Sequence, residues 1–244
     1  MSEIEHGEVP QQSAFAAAAD VSTKCYTNDG NPPVIDAIPP EVSTILDVGC
    51  GAGSNAKLLK ARGKIVDGIT LSAAEAAEAS PWCRRVVVAD LETGLPEAIL
   101  AETYDACLCS HVLEHLRWPD KLLRQLASRL RPAANGVPQL VVALPNIMCY
   151  KTRIPLLLGQ FEYEASGIMD ASHFRWFTFQ SGRRLIEENG FRVLRTFGIG
   201  HFPLSVLRRV LPMSVQQAID RLAVAMRPTV FATEMIFVAS RGDK

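Results

Sequence analysis

Ile45-Leu46-Asp47-Val48-Gly49-Cys50-Gly51-Ala52-Gly53-Ser54-Asn55 is the stretch whose reading decides the fold. An apolar run ends in three alternating glycines, and Lys57, Leu58, Leu59 and Lys60 continue with helical periodicity. The pattern predicts a strand, a tight turn and a helix. Glycines let the turn enter positive φ and let a ligand approach bare backbone. The helix that follows starts with N–H groups and the positive end of its dipole, which suit an anionic group. A glycine-rich turn with no ligand is the plainer alternative.

Spacing narrows the ligand. A dinucleotide fingerprint is G-x-G-x-x-G with an acid about 20 residues on. Here the third glycine comes one position early, and Asp47 precedes the first. D-V-G-C-G-A-G over 47–53 resembles the S-adenosylmethionine (AdoMet) loop of class I methyltransferases, in its Asp, its glycines and its Cys. The resemblance implies an α/β fold: a Rossmann-like, seven-stranded, mostly parallel sheet with an antiparallel last strand, helices on both faces and helical lid insertions. It also implies that Asp47, Gly49, Cys50, Gly51 and Gly53 hold the cofactor.

Composition is compatible with this. The 244 residues are 48% hydrophobic and 21% charged, which suits one globular domain with insertions. A formal net charge of -1 makes no global electrostatic case for nucleic acid. No run approaches the ~18 apolar residues needed to span a bilayer. The N-terminus carries Glu3 and Glu5 and lacks a basic segment, unlike a secretory signal. Residues 1–22 read as a tail and 23–244 as one domain, with lid insertions at about 147–177 and 201–230. The six cysteines form neither zinc-spaced C-x-x-C pairs nor the three-cysteine cluster of a radical AdoMet enzyme, and a reducing cytoplasm is the default setting.

Read in order, Cys25 to Pro40 is turn-rich, and Tyr26 is placed to close over a cofactor or to pack nearby. Lys64 to Ser72 is the second strand. Where the family usually carries an acid for the ribose hydroxyls, this chain has Thr70, a weaker partner than a carboxylate. Leu71 then faces the adenine. Arg85 to Leu91 is the third strand; by resemblance Asp90 contacts the adenine amino group with Leu91 beside it, and turn capping is the alternative for Asp90. Tyr104 to Ser110 is the fourth strand, running into His111-Val112-Leu113-Glu114-His115. This block resembles the segment after strand four in small-molecule methyltransferases and places Ser110 and His111 beneath the methyl donor. His111 and His115 are four residues apart, as two metal ligands on one helical face would be. A third ligand is not evident and H-E-x-x-H is absent, so no metal is expected.

Pro119 to Leu130 is an amphipathic helix, and Gln139 to Leu144 the fifth strand. The segment from Ile147 to Phe177 resembles an "LLLG…D…H-x-R-x-F-T" stretch of MetW-like methyltransferases. Long structured insertions at a ligand edge are usually functional, and this one reads as an acceptor-side lid. It offers Asp170 and His173 as substrate contacts, with hydrogen bonding within the lid the alternative for His173. Thr178 N-caps a helix that ends near Gly190; Phe191 to Phe197 and Glu234 to Ser240 are the last two strands. Pro203 to Pro228 is basic and amphipathic, and could cover the acceptor, mediate a homodimer or rest on a membrane surface.

Together these features imply methyl transfer from AdoMet to a small-molecule acceptor, most simply a hydroxyl of a sugar or secondary metabolite. His111 is the first candidate base and His173 the second. N- or C-methylation and a catalytically silent AdoMet-binding partner protein remain open. An NAD-dependent oxidoreductase lacks its spacing and its ribose acid.

Overall fold

The computed structural model describes residues 29–132, 137–204 and 207–242. The expected tail, residues 1–22, and Tyr26 lie outside them. Strands β1 (Thr44–Val48), β2 (Ile65–Thr70), β3 (Arg85–Val88), β4 (Ala106–Ser110), β5 (Leu140–Pro145), β6 (Phe191–Gly200) and β7 (Ala232–Arg241) form one sheet in the order β3-β2-β1-β4-β5-β7-β6. Strands β1 to β5 pair in parallel, and β7 runs antiparallel between β5 and β6. This is the expected Rossmann-like sheet. All six residues of β5 are buried, as a strand covered on both faces requires.

Helices cover each face. Helices α1 (Pro32–Asp36) and α2 (Ser54–Ala61) place Val34, Ile35, Ala56 and Leu59 on one side, against Ile45, Val66 and Leu108. Helix α3 (Ala73–Ala79) follows β2, and the short α4 (Glu97–Leu100) precedes β4. On the other face, α5 (Pro119–Arg129) buries Leu122, Leu123 and Leu126. The first insertion carries α6 (Tyr150–Leu157), and α7 (Phe179–Glu187) follows it. Thr178 caps α7 as expected: its hydroxyl accepts from the Ser181 N–H, and Ser181 Oγ accepts from the Thr178 N–H. The second insertion carries α8 (Met213–Met226) and α9 (Pro228–Phe231).

Strand β6 runs three residues past the expected Phe197 because its two late glycines admit a close neighbour. A Cβ on Gly198 would lie 2.4 Å from Ala232 Cβ, and one on Gly200 would lie 2.0 Å from the Phe231 carbonyl oxygen. These glycines extend the strand under α9 rather than ending it.

Two buried carboxylates stand on neighbouring strands, each 1% exposed. Asp67 accepts hydrogen bonds from Arg84, Arg85 and the Tyr104 hydroxyl at 2.6 to 2.9 Å. Burial works against its charge, but these donors prevail and hold its pKa below the ordinary value. Its contribution is therefore present above the unfolded carboxyl pKa and lost as pH falls through the lower folded value. Asp67→Ala should cost about 3 kcal/mol at neutral pH, because it strands two guanidinium groups and a buried hydroxyl. Denaturant melts of the variant and wild type give the value; a loss under about 1 kcal/mol would remove this cluster from the fold's supports.

Candidate active site

The other carboxylate, Asp47, has no hydrogen-bond partner on either oxygen among the described residues. Burial alone raises its pKa to about 7. An orphaned acid at this depth is a cost that a purely structural strand would not keep. It stands one residue before the end of β1, where the sheet order reverses between β2 and β4, the position at which open α/β sheets bind ligands.

The loop after it is shaped by its glycines. Gly49, Gly51 and Gly53 have φ of +69°, +52° and +83°. A Cβ on Gly49 would lie 2.5 Å from Val112 Cγ2, and one on Gly53 would lie 2.8 Å from the Ala79 backbone. Gly53 is the left-handed N-cap of α2, and its carbonyl accepts from Lys57. Cys50, expected among the cofactor contacts, is turned inward: its N–H donates to the Ile69 carbonyl at 2.8 Å, and its thiol occupies the space a Cβ on Gly68 would need. It fastens the loop to β2, which the motif could not reveal because that contact depends on a neighbouring strand.

Thr70, expected at the ribose, has a partner of its own. It is buried, and its hydroxyl donates to Glu75 Oε2 at 2.5 Å, which leaves Oγ1 as an acceptor only. The carboxylate at this end of β2 belongs instead to Glu75, five residues on. Leu71 is 46% exposed and forms an apolar surface at the sheet edge. Asp90 is exposed and caps its own turn, with Oδ1 accepting from the Glu92 N–H; Leu91 is half-buried behind it.

Ser110 ends β4 and is half-buried. His111 follows at φ +56°, the only non-glycine residue at positive φ among the described residues. Such strain is held only where the surroundings enforce it, and it gathers at working sites. Here two carboxylates enforce it: Nδ1 lies 3.2 Å from Glu114 Oε1 and Nε2 lies 2.9 Å from Glu234 Oε1. Burial disfavours the charged ring, but the two hydrogen bonds and the two charges outweigh it and raise the pKa to about 10. His111 is thus an imidazolium in this arrangement and lacks the lone pair expected of a general base. Glu234, which also accepts from Asn31 Nδ2, enters the site from β7. Its sequence distance from His111 hid it.

The first insertion joins this region. Backbone N–H groups of Phe174 and Arg175 donate to the Glu114 carbonyl, and Ile147 donates to Phe177. Asp170 is buried and accepts from both the N–H and the hydroxyl of Ser172. His173 is 7% exposed, and its Nδ1 lies 3.1 Å from the Ile168 carbonyl. Burial and the neighbouring His115 lower its pKa. Its ring packs edge to face on His115, with centroids 4.6 Å apart. Outside it the insertion shows Leu157, Leu158, Phe161 and Tyr163 to solvent. Helix α8 instead roofs a cavity of about 660 Å³ along β6, lined by Phe179, Thr196 to Gly200 and Val224, on the far flank of the sheet.

A methyltransferase-domain family model matches residues 28–196, more than half of the chain. The chain belongs to the class I methyltransferases, whose methyl donor is AdoMet. Solved structures agree on the fold. The methyltransferase is similar to an AdoMet-dependent methyltransferase from Archaeoglobus fulgidus at 18% identity and a TM-score of 0.60, covering 85% of this chain and 90% of that one. It is similar to magnesium protoporphyrin IX methyltransferase from Synechocystis, solved with S-adenosylhomocysteine, at 18% identity and 0.54, covering 95% and 83%. A third likeness is to a methyltransferase bound to the Trm112 activator in Haloferax volcanii, at 15% identity and 0.59, covering 87% and 88%. No curated protein matches the chain by sequence. No helix among the described residues is long and apolar enough to cross a membrane.

The site fits the donor on this chain's own observations. An unpaired carboxylate backs a left-handed glycine loop, and an exposed leucine flanks it at the sheet's switch point.

Proposed function

We propose that this enzyme transfers the AdoMet methyl group to a hydroxyl of a small, partly apolar acceptor. The observation that carries the reading is the orphaned Asp47 beneath three positive-φ glycines, a carboxylate awaiting a cation at the ligand edge. In this reading Asp47 and the backbone of Gly49 to Gly53 hold the methionine end. Glu75, steadied by Thr70, takes the ribose, while Leu71, Asp90 and Leu91 frame the adenine. AdoMet supplies a methyl carbon already activated by its sulfonium. What the chain adds is alignment, and well-oriented reactants are worth about 7–11 kcal/mol.

Ser110 and His111 stand where acceptor and donor meet. His111, with Glu114 and Glu234 on its two nitrogens, forms a charged bridge from β4 to β7 that positions the acceptor against the donor. The buried His173 and Asp170 shape the acceptor side from behind it. The exposed apolar and aromatic residues of the first insertion favour an acceptor with a hydrophobic face.

Thermal shift with AdoMet, S-adenosylhomocysteine and NAD tests the cofactor; stabilisation by NAD alone would overturn the reading. Labelled AdoMet with panels of sugars, phenols and amines tests the acceptor, and methylation confined to amines would overturn the hydroxyl assignment. His111→Ala should lower kcat about 100-fold by loosening the alignment of acceptor and donor, and leave the AdoMet Kd within about twofold. Unchanged turnover would take His111 out of the chemistry.

A further inference from the structure

Behind His111, three side chains converge with acceptor atoms and no donor. Glu114, His115 and His173 each offer one ligand atom, and these atoms lie within 4.8 Å of one another. Glu114 is fully buried; Oε1 is engaged by His111, and Oε2 has no hydrogen-bond partner. The two rings meet edge to face with centroids 4.6 Å apart.

Each ring's tautomer is set from outside the cluster. His173 Nδ1–H donates to the Ile168 carbonyl, which leaves Nε2 with its lone pair. His115 Nδ1–H donates to Ser172 Oγ at 3.1 Å, and that hydroxyl donates in turn to Asp170 Oδ1 at 2.6 Å. A metal-bound histidine is oriented in this way, with its second nitrogen on a carbonyl or on a relay to a carboxylate. Each ring thus keeps a lone pair on Nε2 beside the unpartnered Glu114 Oε2, and a buried carboxylate oxygen without a donor is costly unless a cation meets it.

We infer that Glu114, His115 and His173 form a binding site for a divalent transition-metal ion, with Zn²⁺ the best match. Two imidazoles and one carboxylate suit zinc and leave a fourth position open. The dimensions are those of a slightly open site. Ligand atoms no more than 4.8 Å apart lie no more than about 2.8 Å from their common centre, against about 2.0–2.1 Å for bonded zinc ligands. Small side-chain rotations close that gap. The spacing of His111 and His115 alone offered no third ligand; folding separates them, turning His111 to Glu234 and bringing His115 to His173 from the insertion. The ion ties the acceptor-side insertion to the loop after β4, close beside the crevice. This site stands independently of the methyl-transfer reading.

Chelator-treated, full-length protein is titrated with Co²⁺ while its visible d–d absorption is followed, and then with Zn²⁺ in competition. One equivalent should bind, with tetrahedral cobalt bands that Zn²⁺ displaces. Zn²⁺ at about 100 times its Kd should raise Tm by about 5 °C or more, and Mg²⁺ should not. His115→Ala and His173→Gln should each weaken Co²⁺ binding at least tenfold, whereas His201→Ala, a histidine outside the cluster, should bind as wild type does. Circular dichroism and AdoMet titration of the same samples keep loss of fold and failure of the cofactor reading apart from loss of metal. Absence of a cobalt spectrum in the wild type, or an undiminished spectrum in folded His173→Gln, would overturn the site.

Discussion

Asp47→Asn should stabilise the cofactor-free protein at pH 8 while weakening AdoMet binding about 10- to 100-fold. Both effects follow from one orphaned carboxylate. Its folded pKa is raised to about 7 by burial, against an ordinary value of 3.8. For a raised carboxyl the sign is opposite to that of a salt-bridged one. Its contribution to stability is complete below the unfolded pKa, declines as pH rises, and is fully lost above about pH 7. Linkage bounds this loss at about 4 kcal/mol. An amide in the same place carries no charge but still lacks partners, so the net gain is nearer 2 kcal/mol. The Tm difference between variant and wild type should be several degrees at pH 8 and vanish towards pH 4. A variant less stable at pH 8 would show that a partner, water included, already satisfies Asp47.

The binding half is the counterpart of that cost. A charge-assisted hydrogen bond to a cation is worth about 1.5–3 kcal/mol, and asparagine cannot offer one of that strength. Titration calorimetry with AdoMet gives the loss directly; an unchanged Kd would place the methionine end of the donor away from β1. Asp67 is the internal contrast. Equally buried but met by Arg84, Arg85 and Tyr104, it belongs to the fold's support, and its removal lowers stability at every pH above its own titration.

Much of this was legible in the chain, and the unread part has a common cause. Apolar runs located all seven strands, and a local N-cap at Thr178 marked the start of α7. These signals sit within a few residues of one another. Contacts that depend on a neighbouring strand or on the insertion were not legible. The Cys50 thiol packs on Gly68, Thr70 gives its hydrogen to Glu75, and the charged His111 ring pairs with Glu234, 123 residues away. A regular helix would put His111 and His115, four residues apart, on one face. A 3-10 turn over Leu113–His115 and the left-handed backbone at His111 turn them apart. Spacing rules assume a regular helix, and this loop is not one.

Gly51→Val should abolish measurable AdoMet binding in a protein that still folds. Gly51 is held at φ +52°, a region a β-branched residue enters only at a cost of about 1–2 kcal/mol. That strain alone would not remove binding; the two added methyl groups also stand on backbone that the cofactor must approach. A control separates the two contributions. Gly63, at φ +74° just past the far end of α2, would meet nothing within 4 Å on gaining a Cβ. Gly63→Ala therefore reports the conformational penalty alone, about 1 kcal/mol of stability, with AdoMet affinity unchanged. If Gly51→Val and Gly63→Ala lose similar stability and only the first loses AdoMet, the loop's bare backbone is the binding surface. If Gly51→Val keeps its affinity within about threefold, the donor does not lie on this loop, and the orphaned charge of Asp47 needs another partner.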